Sequence, residues 1–324
     1  MTATGDGAVV SGVGLFVDGD ADEGRLLGSG ARSARPATRG PADALEGRGL
    51  RYKDRATRLA LRAAQRALED SGLVDGGGLT VAADRAGVIV SSNLGNVDTV
   101  CRVVDTIAAE TVAGTSPMDL PNASSNVIAS TIAIWFGIRG VNLTLCNGAT
   151  SGLDALAWAA LLLAADRADA VLVCGVETTN PAVERLVAGT NGVFDGAAAV
   201  VVERAASVGG RRARPRAALR DHARRRTLVE SVGEVLAAGP RPAIWFLPEG
   251  QPAGELSLPE LEGTPTEDLG RRLGTCSGAL GVLQCAAAVR WLEGRDDRGA
   301  LLTAGGSVDD ATTAMVVCPA GGSE

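Results

Sequence analysis

The sequence predicts an α/β protein of two similar halves, and three observations carry that expectation. Short β-rich apolar runs alternate with segments of helical apolar spacing, the signature of strands covered by helices. The alternation is played twice, so residues 1–205 and the shorter stretch 206–324 read as two α/β halves of one structural unit. Composition allows such a core: of 324 residues 46% are apolar and 21% charged, which excludes a disordered or collagen-like chain despite 43 glycines.

Residues 7–16 are an apolar run broken by glycines and read as a first strand, whereas 17–49, rich in Gly, Arg, Pro and Asp without periodicity, read as a long irregular loop. Leu59, Leu61, Ala64 and Leu68 fall at helical spacing within 56–73, which ends in Ser71-Gly72, a glycine stop. A buried strand is expected at 85–91 and a helix at 96–113. Pro117 and Pro121 interrupt 114–126 before a second helix, 127–136. Strand 141–146, a tight turn 147–152, a buried helix 153–165 and strand 168–175 follow. The second half repeats the grammar more loosely, with strands at 197–203, 243–247, 301–304 and 313–318 and helices at 227–238 and 279–292.

The formal charge of −7 argues against chain-wide attraction to nucleic acid or to an anionic membrane. The longest apolar run, 155–165, is bounded by Asp154 and Asp166 and is too short to span a bilayer. With no signal-peptide pattern at the start, the chain is expected in the cytoplasm. Its six cysteines, Cys101, Cys146, Cys174, Cys276, Cys285 and Cys318, show no C-x-x-C or zinc spacing and mostly sit in apolar runs. Buried free thiols in a reducing compartment, without metal or cofactor, are the expectation.

The segment 141–165 is the one place where local chemistry suggests a site. A strand that gives way through a glycine-bearing turn to a helix aims turn residues at backbone N–H groups and the positive end of the helix dipole, a setting that stabilises a nucleophilic thiolate. Here the turn reads Gly148-Ala149-Thr150-Ser151-Gly152. Ala149 offers only a methyl group; Thr150 and Ser151 carry hydroxyls but need a general base, and otherwise read as helix N-caps.

The run from Ser116-Pro117 through Arg139-Gly-Val-Asn-Leu-Thr-Leu-Cys-Asn-Gly-Ala-Thr-Ser-Gly-Leu-Asp resembles the nucleophile region of β-ketoacyl synthases, where a strand G-P-N-L-T-V precedes T-A-C-S-S-G. Val9-Val-Ser-Gly-Val-Gly, the helix 55–73, the strand 168–177 ending in Glu177, Asp195-Gly-Ala-Ala-Ala-Val-Val-Val-Glu, and Leu273-Gly-Thr-Cys-Ser-Gly-Ala-Leu-Gly are similar to further family motifs, the last to G-H-x-x-G-A-A-G. The likeness spans almost the whole chain. It implies a thiolase fold, two α/β halves in a five-layer αβαβα sandwich.

Every catalytic position of that family is changed. The cysteine nucleophile falls on Ala149, the histidine of G-H-x-x-G-A on Thr275, with Cys276 next to it, and the motif's lysine on Gly270. The H-G-T-G-T motif is replaced by Pro248-Glu-Gly-Gln-Pro and the G-F-G-G-x-N loop by Ala304-Gly-Gly-Ser-Val-Asp-Asp. Condensation in the family needs two histidines, and His222 is the only one in the chain. It falls in Asp221-His-Ala-Arg-Arg-Arg and is expected on a strand and loop far from the turn.

A synthase-like chain without catalytic residues resembles the chain length factors of type II polyketide synthases. That resemblance implies a non-catalytic subunit that pairs with an active ketosynthase and serves elongation on an acyl carrier protein. It places the dimer interface on the strand Val141, Asn142, Leu143, Thr144, Leu145 and Cys146, and an unpaired apolar edge strand would itself call for a partner. It also places a gate of the partner's acyl tunnel on Asn96, Thr99 and Val103, at i, i+3 and i+7 of one helix. Their small size where aromatic-type factors carry phenylalanines implies a long or linear, polyene-type product. Two other readings stay open: an acyltransferase or decarboxylase using Cys146, Cys276, Thr150 or Ser151, and a homodimeric acyl-binding scaffold. The arginines 211, 212, 214, 216, 220, 224, 225 and 226 form the one strongly basic stretch and read as a solvated loop or as a contact for an acidic carrier protein.

Overall fold

The computed structural model describes residues 7–17, 50, 52–76, 78–187, 192–208, 214–237, 239–251, 256, 258–295 and 298–320, so the loop expected at 17–49 lies almost wholly outside the described residues, as do Arg211 and Arg212. Ten strands form the sheet framework. The first five are β1 (Ala8–Val17), β2 (Ala86–Ser91), β3 (Asn142–Leu145), β4 (Ala170–Glu177) and β5 (Gly196–Arg204). The second five are β6 (Ala217–Arg225), β7 (Ile244–Phe246), β8 (Thr266–Glu267), β9 (Ala300–Ala304) and β10 (Thr312–Pro319).

The strand order reveals an internal repeat. In the first set it is β3-β2-β4-β5-β1 and in the second β8-β7-β9-β10-β6, the same arrangement with each number raised by five. The directions match as well: β1 and β6 run antiparallel to β5 and β10, those run antiparallel to β4 and β9, and the remaining neighbours are parallel. The two sets meet where Val9 and Val10 of β1 pair with Ala218 and Ala217 of β6.

Helices are α1 (Arg55–Asp70), α2 (Val97–Glu110), α3 (Val127–Phe136), α4 (Ser151–Ala164), α5 (Leu228–Leu236) and α6 (Leu280–Leu292). Three apolar clusters show how they are layered. Leu59, Ala63, Leu68 of α1 and Ile128, Ile132 of α3 cover one face of the first strands through Val88, Val90, Leu172 and Val201. Leu153, Leu156, Leu163 of α4 and Leu280, Leu283, Val289 of α6 fill the space between both sets of strands. Leu228, Val232 and Val235 of α5 close the outer face of the second set against Trp245 and Leu301. The result is αβαβα, as the resemblance implies, and its middle layer explains the sequence: α4 and α6, walled by sheets on both sides, are apolar nearly all round. They touch at Gly152 and Gly281; a Cβ on Gly281 would lie 2.3 Å from the Leu153 nitrogen, so neither position has room for a side chain.

Local signals set the ends. Asp54 caps α1 by accepting from the Thr57 N–H at 2.7 Å, and Thr227 with Glu230 forms a capping box on α5. No described helix is long and apolar enough to cross a membrane.

Three expectations need correcting. The arginine-rich stretch is not a solvated loop where it is described: Ala217–Arg225 is β6, an inner strand paired with β10 and β1, and Arg216 just before it is held by Glu293 and Asp70 at 2.5 Å each. The strand at 197–203 belongs with the first set, not the second. Cysteine burial holds for Cys174, Cys276 and Cys285, whereas Cys146 is exposed and Cys101 and Cys318 are half-buried.

Candidate functional site

The chain leaves β3 at Leu145, makes a single 3₁₀ turn over Gly148–Thr150 and enters α4 at Ser151, two residues earlier than the apolar run suggests. Gly148 has φ +83°, the left-handed geometry that lets strand turn into helix. Ala149 sits half-buried at the crest of this turn.

The neighbouring hydroxyls are already committed. The Thr150 hydroxyl donates to Asp154 Oδ2 at 2.8 Å, and the Ser151 hydroxyl lies 2.8 Å from the Gly148 carbonyl and 3.2 Å from Asn93 Oδ1 while accepting from the Asn147 N–H. Thr150 makes no capping bond to α4, contrary to its reading as an N-cap. Asn93, just past β2, ties the turn to the opposite half: its Nδ2 donates to the Gly148 carbonyl at 3.0 Å and to Ser277 Oγ at 2.9 Å. Among the described residues no imidazole bonds either hydroxyl; the one carboxylate in reach, Asp154, takes the Thr150 proton as a hydrogen-bond acceptor.

Across from Ala149 lies the turn 274–279. Thr275 is zipped by its backbone to residues 192–194, its N–H donating to the Gly192 carbonyl and its carbonyl accepting from Phe194. Pro248 is buried at the end of β7, and the next residue, Glu249, reaches over the 274–279 turn. Its carboxylate accepts from the N–H groups of Cys276 and Ser277. It also occupies the space beside Gly270, where a Cβ would lie 3.3 Å from Glu249 Cγ. Ser277, held at both its N–H and its hydroxyl, keeps a left-handed φ of +45°.

Glu177 is a second acid at these turns, and it is fully buried. It ends β4 with no exposure and accepts from the N–H groups of Asn93 at 2.7 Å, Leu94 at 3.0 Å and Gly278 at 3.1 Å. Burial pushes its carboxyl up to about 7 against the pull of those donors, and burial likewise raises Glu249. Burial first, then the charges of Glu249 and Glu177, drive the Cys276 thiol well above its ordinary value. Cys276 is therefore a poor nucleophile, which weighs against one of the enzyme readings. The two facing turns thus present a methyl group, a backbone-bound threonine, a proline and two carboxylates that stitch the turns together.

His222 is not far from the turn, as the sequence suggests. β6 carries it to within 3.7 Å of Asp154 Oδ1, with Arg224 Nε 3.3 Å from Oδ2. Burial acts to raise the Asp154 carboxyl, but contacts from His222, Thr150 and Asn147 and the Arg224 charge outweigh it and hold the group below the usual range.

The strand Val141–Cys146 lies at an open edge. Within it β3 pairs with β2 on one side and with no described strand on the other. Apolar side chains flank that edge from both faces: Ile134 (83% exposed) and Trp135 on α3, Trp158 and Leu161 on α4. On α2, Thr99 and Val103 point inward and are buried, whereas Val100, Val104 and Ile107 are exposed. Asn96 precedes α2 and its Nδ2 donates to the carbonyls of Ser124 at 2.9 Å and Asn122 at 3.2 Å, clamping the helix start to the segment before α3.

Comparison with known proteins agrees with this architecture. Residues 40–193 match the model of the beta-ketoacyl synthase N-terminal domain. Among curated proteins, the 3-oxoacyl-[acyl-carrier-protein] synthase 2 of Coxiella burnetii is 28% identical over 95 residues, 29% of this chain and 23% of that protein. The same enzyme of Vibrio harveyi is 29% identical over 107 residues, 32% of this chain and 26% of that one, so the matched segment spans about a quarter of either relative. Among solved structures, the ishigamide ketosynthase/chain length factor superposes with TM-score 0.73 at 21% identity, covering 97% of this chain and 100% of that one. The ketosynthase complex AntDE:AntF, which holds a type II polyketide synthase acyl-carrier protein, superposes with TM-score 0.82 at 17% identity over 98% of this chain and 100% of that one. From β1 to β10 the chain thus has the thiolase-like fold of these ketosynthase structures, and its residues 40–193 match the model of the beta-ketoacyl synthase N-terminal domain.

Proposed function

We propose that this chain is a non-catalytic partner of an active ketosynthase, in the manner of a chain length factor, and supports acyl elongation on a carrier protein. The observation that carries the reading is the turn at Ala149: the nucleophile's position holds a methyl group, both adjacent hydroxyls are bonded elsewhere, and Glu249 with Glu177 binds the facing turn where histidines would act. The open edge of β3 between Trp135 and Trp158 is the surface that a partner strand and its helices would cover.

The test is co-expression with the ketosynthase encoded nearest to it, followed by size exclusion and elongation from malonyl-loaded carrier protein. A one-to-one complex that elongates only with both chains present is expected. Ala149→Cys in this chain alone is expected to give no condensation, because a thiol without the two histidines has neither base nor oxyanion donors. A stable homodimer that ignores the ketosynthase would favour the scaffold reading, and turnover by the isolated chain would overturn the proposal.

The gate reading extends it. Thr99 and Val103 face inward from α2, so Val103→Phe is expected to shorten the product of the complex, read by mass spectrometry of the released acyl chains. Asn96→Trp would add bulk at the same helix while also breaking the clamp to Ser124. Unchanged product length in both variants would remove the gate from α2.

A further inference from the structure

We infer that the cavity between α4, β6 and the turn after β3 is a binding site for a medium-chain carboxylate in the single chain, beside the β3 edge and sharing Trp158 with the surface proposed for a partner. The cavity measures ≈ 590 Å³ and has two unlike halves. Leu145, Ala157, Trp158 and Leu161 make an apolar wall, and Asp154, His222 and Arg224 make a polar floor. That size and division suit a small amphipathic ligand.

A break in β6 creates the floor. Ala217 and Leu219 face the middle layer, and strict alternation would send His222 and Arg224 to the opposite side. Leu219 pairs with Val317 but His222 with Met315, so Arg220 and Asp221 together oppose one residue of β10. This β-bulge reverses the register: Ala223 packs under α5, and His222 and Arg224 turn toward α4. Bulges of this kind commonly re-aim side chains beside binding sites.

The floor pairs one acid with one arginine, and the outer end of that arginine is what an anion would meet. Asp154 is 6% exposed; its Oδ2 accepts from Asn147 Nδ2 at 2.7 Å and the Thr150 hydroxyl at 2.8 Å and is ion-paired with Arg224, whose Nε lies 3.3 Å away. Arg224 pairs with Asp154 through Nε while its side chain stays 45% exposed, and its two Nη groups have no hydrogen-bond partner among the described residues. A guanidinium paired at one nitrogen and open at the other two presents a fork to a carboxylate. His222 Nε2 is 3.0 Å from Thr313 Oγ1, which fixes the ring at the same floor. The apolar wall then takes the alkyl chain, with Trp158 and Leu161 at the lip.

The test is calorimetric titration of the full chain with octanoate and, as the neutral ligand of equal length, octan-1-ol. Octanoate is expected to saturate at about 1 mM or below and octanol to bind at least about tenfold more weakly. Arg224→Gln is expected to weaken octanoate by about tenfold or more. Ala157→Phe, which fills the apolar half without touching a charge, is expected to abolish binding. Octanoate binding retained by either variant, octanol binding equal to octanoate, or no saturation by octanoate up to about 10 mM would each overturn the assignment.

Discussion

Glu177→Ala is expected to destabilise the chain by about 3–5 kcal/mol, since it leaves three backbone N–H groups, one buried and two half-buried, without an acceptor and opens a void at a fully buried side chain. Those donors come from Asn93 and Leu94 beside β2 and from Gly278 before α6, so the loss falls where the first and second sets of strands are joined through their turns. Urea unfolding measures it as a lower midpoint. The same carboxyl has a pH signature. Burial sets it at about 7 in the folded chain against an ordinary value of 4.5, so between these limits the folded state binds more protons than the unfolded one. Stability from this group is therefore full below pH 4.5 and falls as pH rises toward 7, and Glu177→Gln is expected to flatten that decline. A flat profile in the wild-type chain would mean that the three N–H donors outweigh burial and keep the carboxylate ionised throughout.

The double variant Trp135→Glu/Trp158→Glu is expected to weaken the complex with a ketosynthase by more than about 100-fold, because aromatic anchors at the centre of an interface typically contribute about 2 kcal/mol or more each and the substitutes would bury charge. Both side chains are roughly half exposed in the single chain, 44% and 47%, so its own unfolding midpoint is expected to stay nearly unchanged. Analytical ultracentrifugation of the mixed chains reads the association and thermal unfolding reads the fold. A complex of undiminished affinity would move the interface away from the β3 edge.

The outcome for individual elements separates what is local from what is not. Helices α1 and α3 and strands β2, β4 and β9 are legible because each has one periodicity and strong punctuation: Asp54 and Ser71-Gly72 around α1, Gly137 after α3. The arginine-rich β6 is illegible for a physical reason. Its four exposed positions, Arg220, Asp221, Arg224 and Arg225, are all charged and match its buried ones in number, so composition reads as loop while the hydrogen bonds to β10 and β1 make it a strand. The bulge within it then hid His222, since a two-residue periodicity places that ring on the wrong face.

The sequence by itself determined the class and the composition of the turns: Ala149 between strand and helix, a single histidine in the whole chain, and the repeated strand-and-helix grammar of the fold. These are matters of residue identity and period, which survive without coordinates. Only the tertiary structure decided which groups face one another. Glu177 and Glu249 come from distant positions to bind the turn 274–279, Asn93 bridges Gly148 to Ser277, and β6 brings Arg224 to Asp154, 70 positions earlier in the chain. Such meetings depend on strand order and on one bulge, and neither leaves a mark in the local spacing of residues.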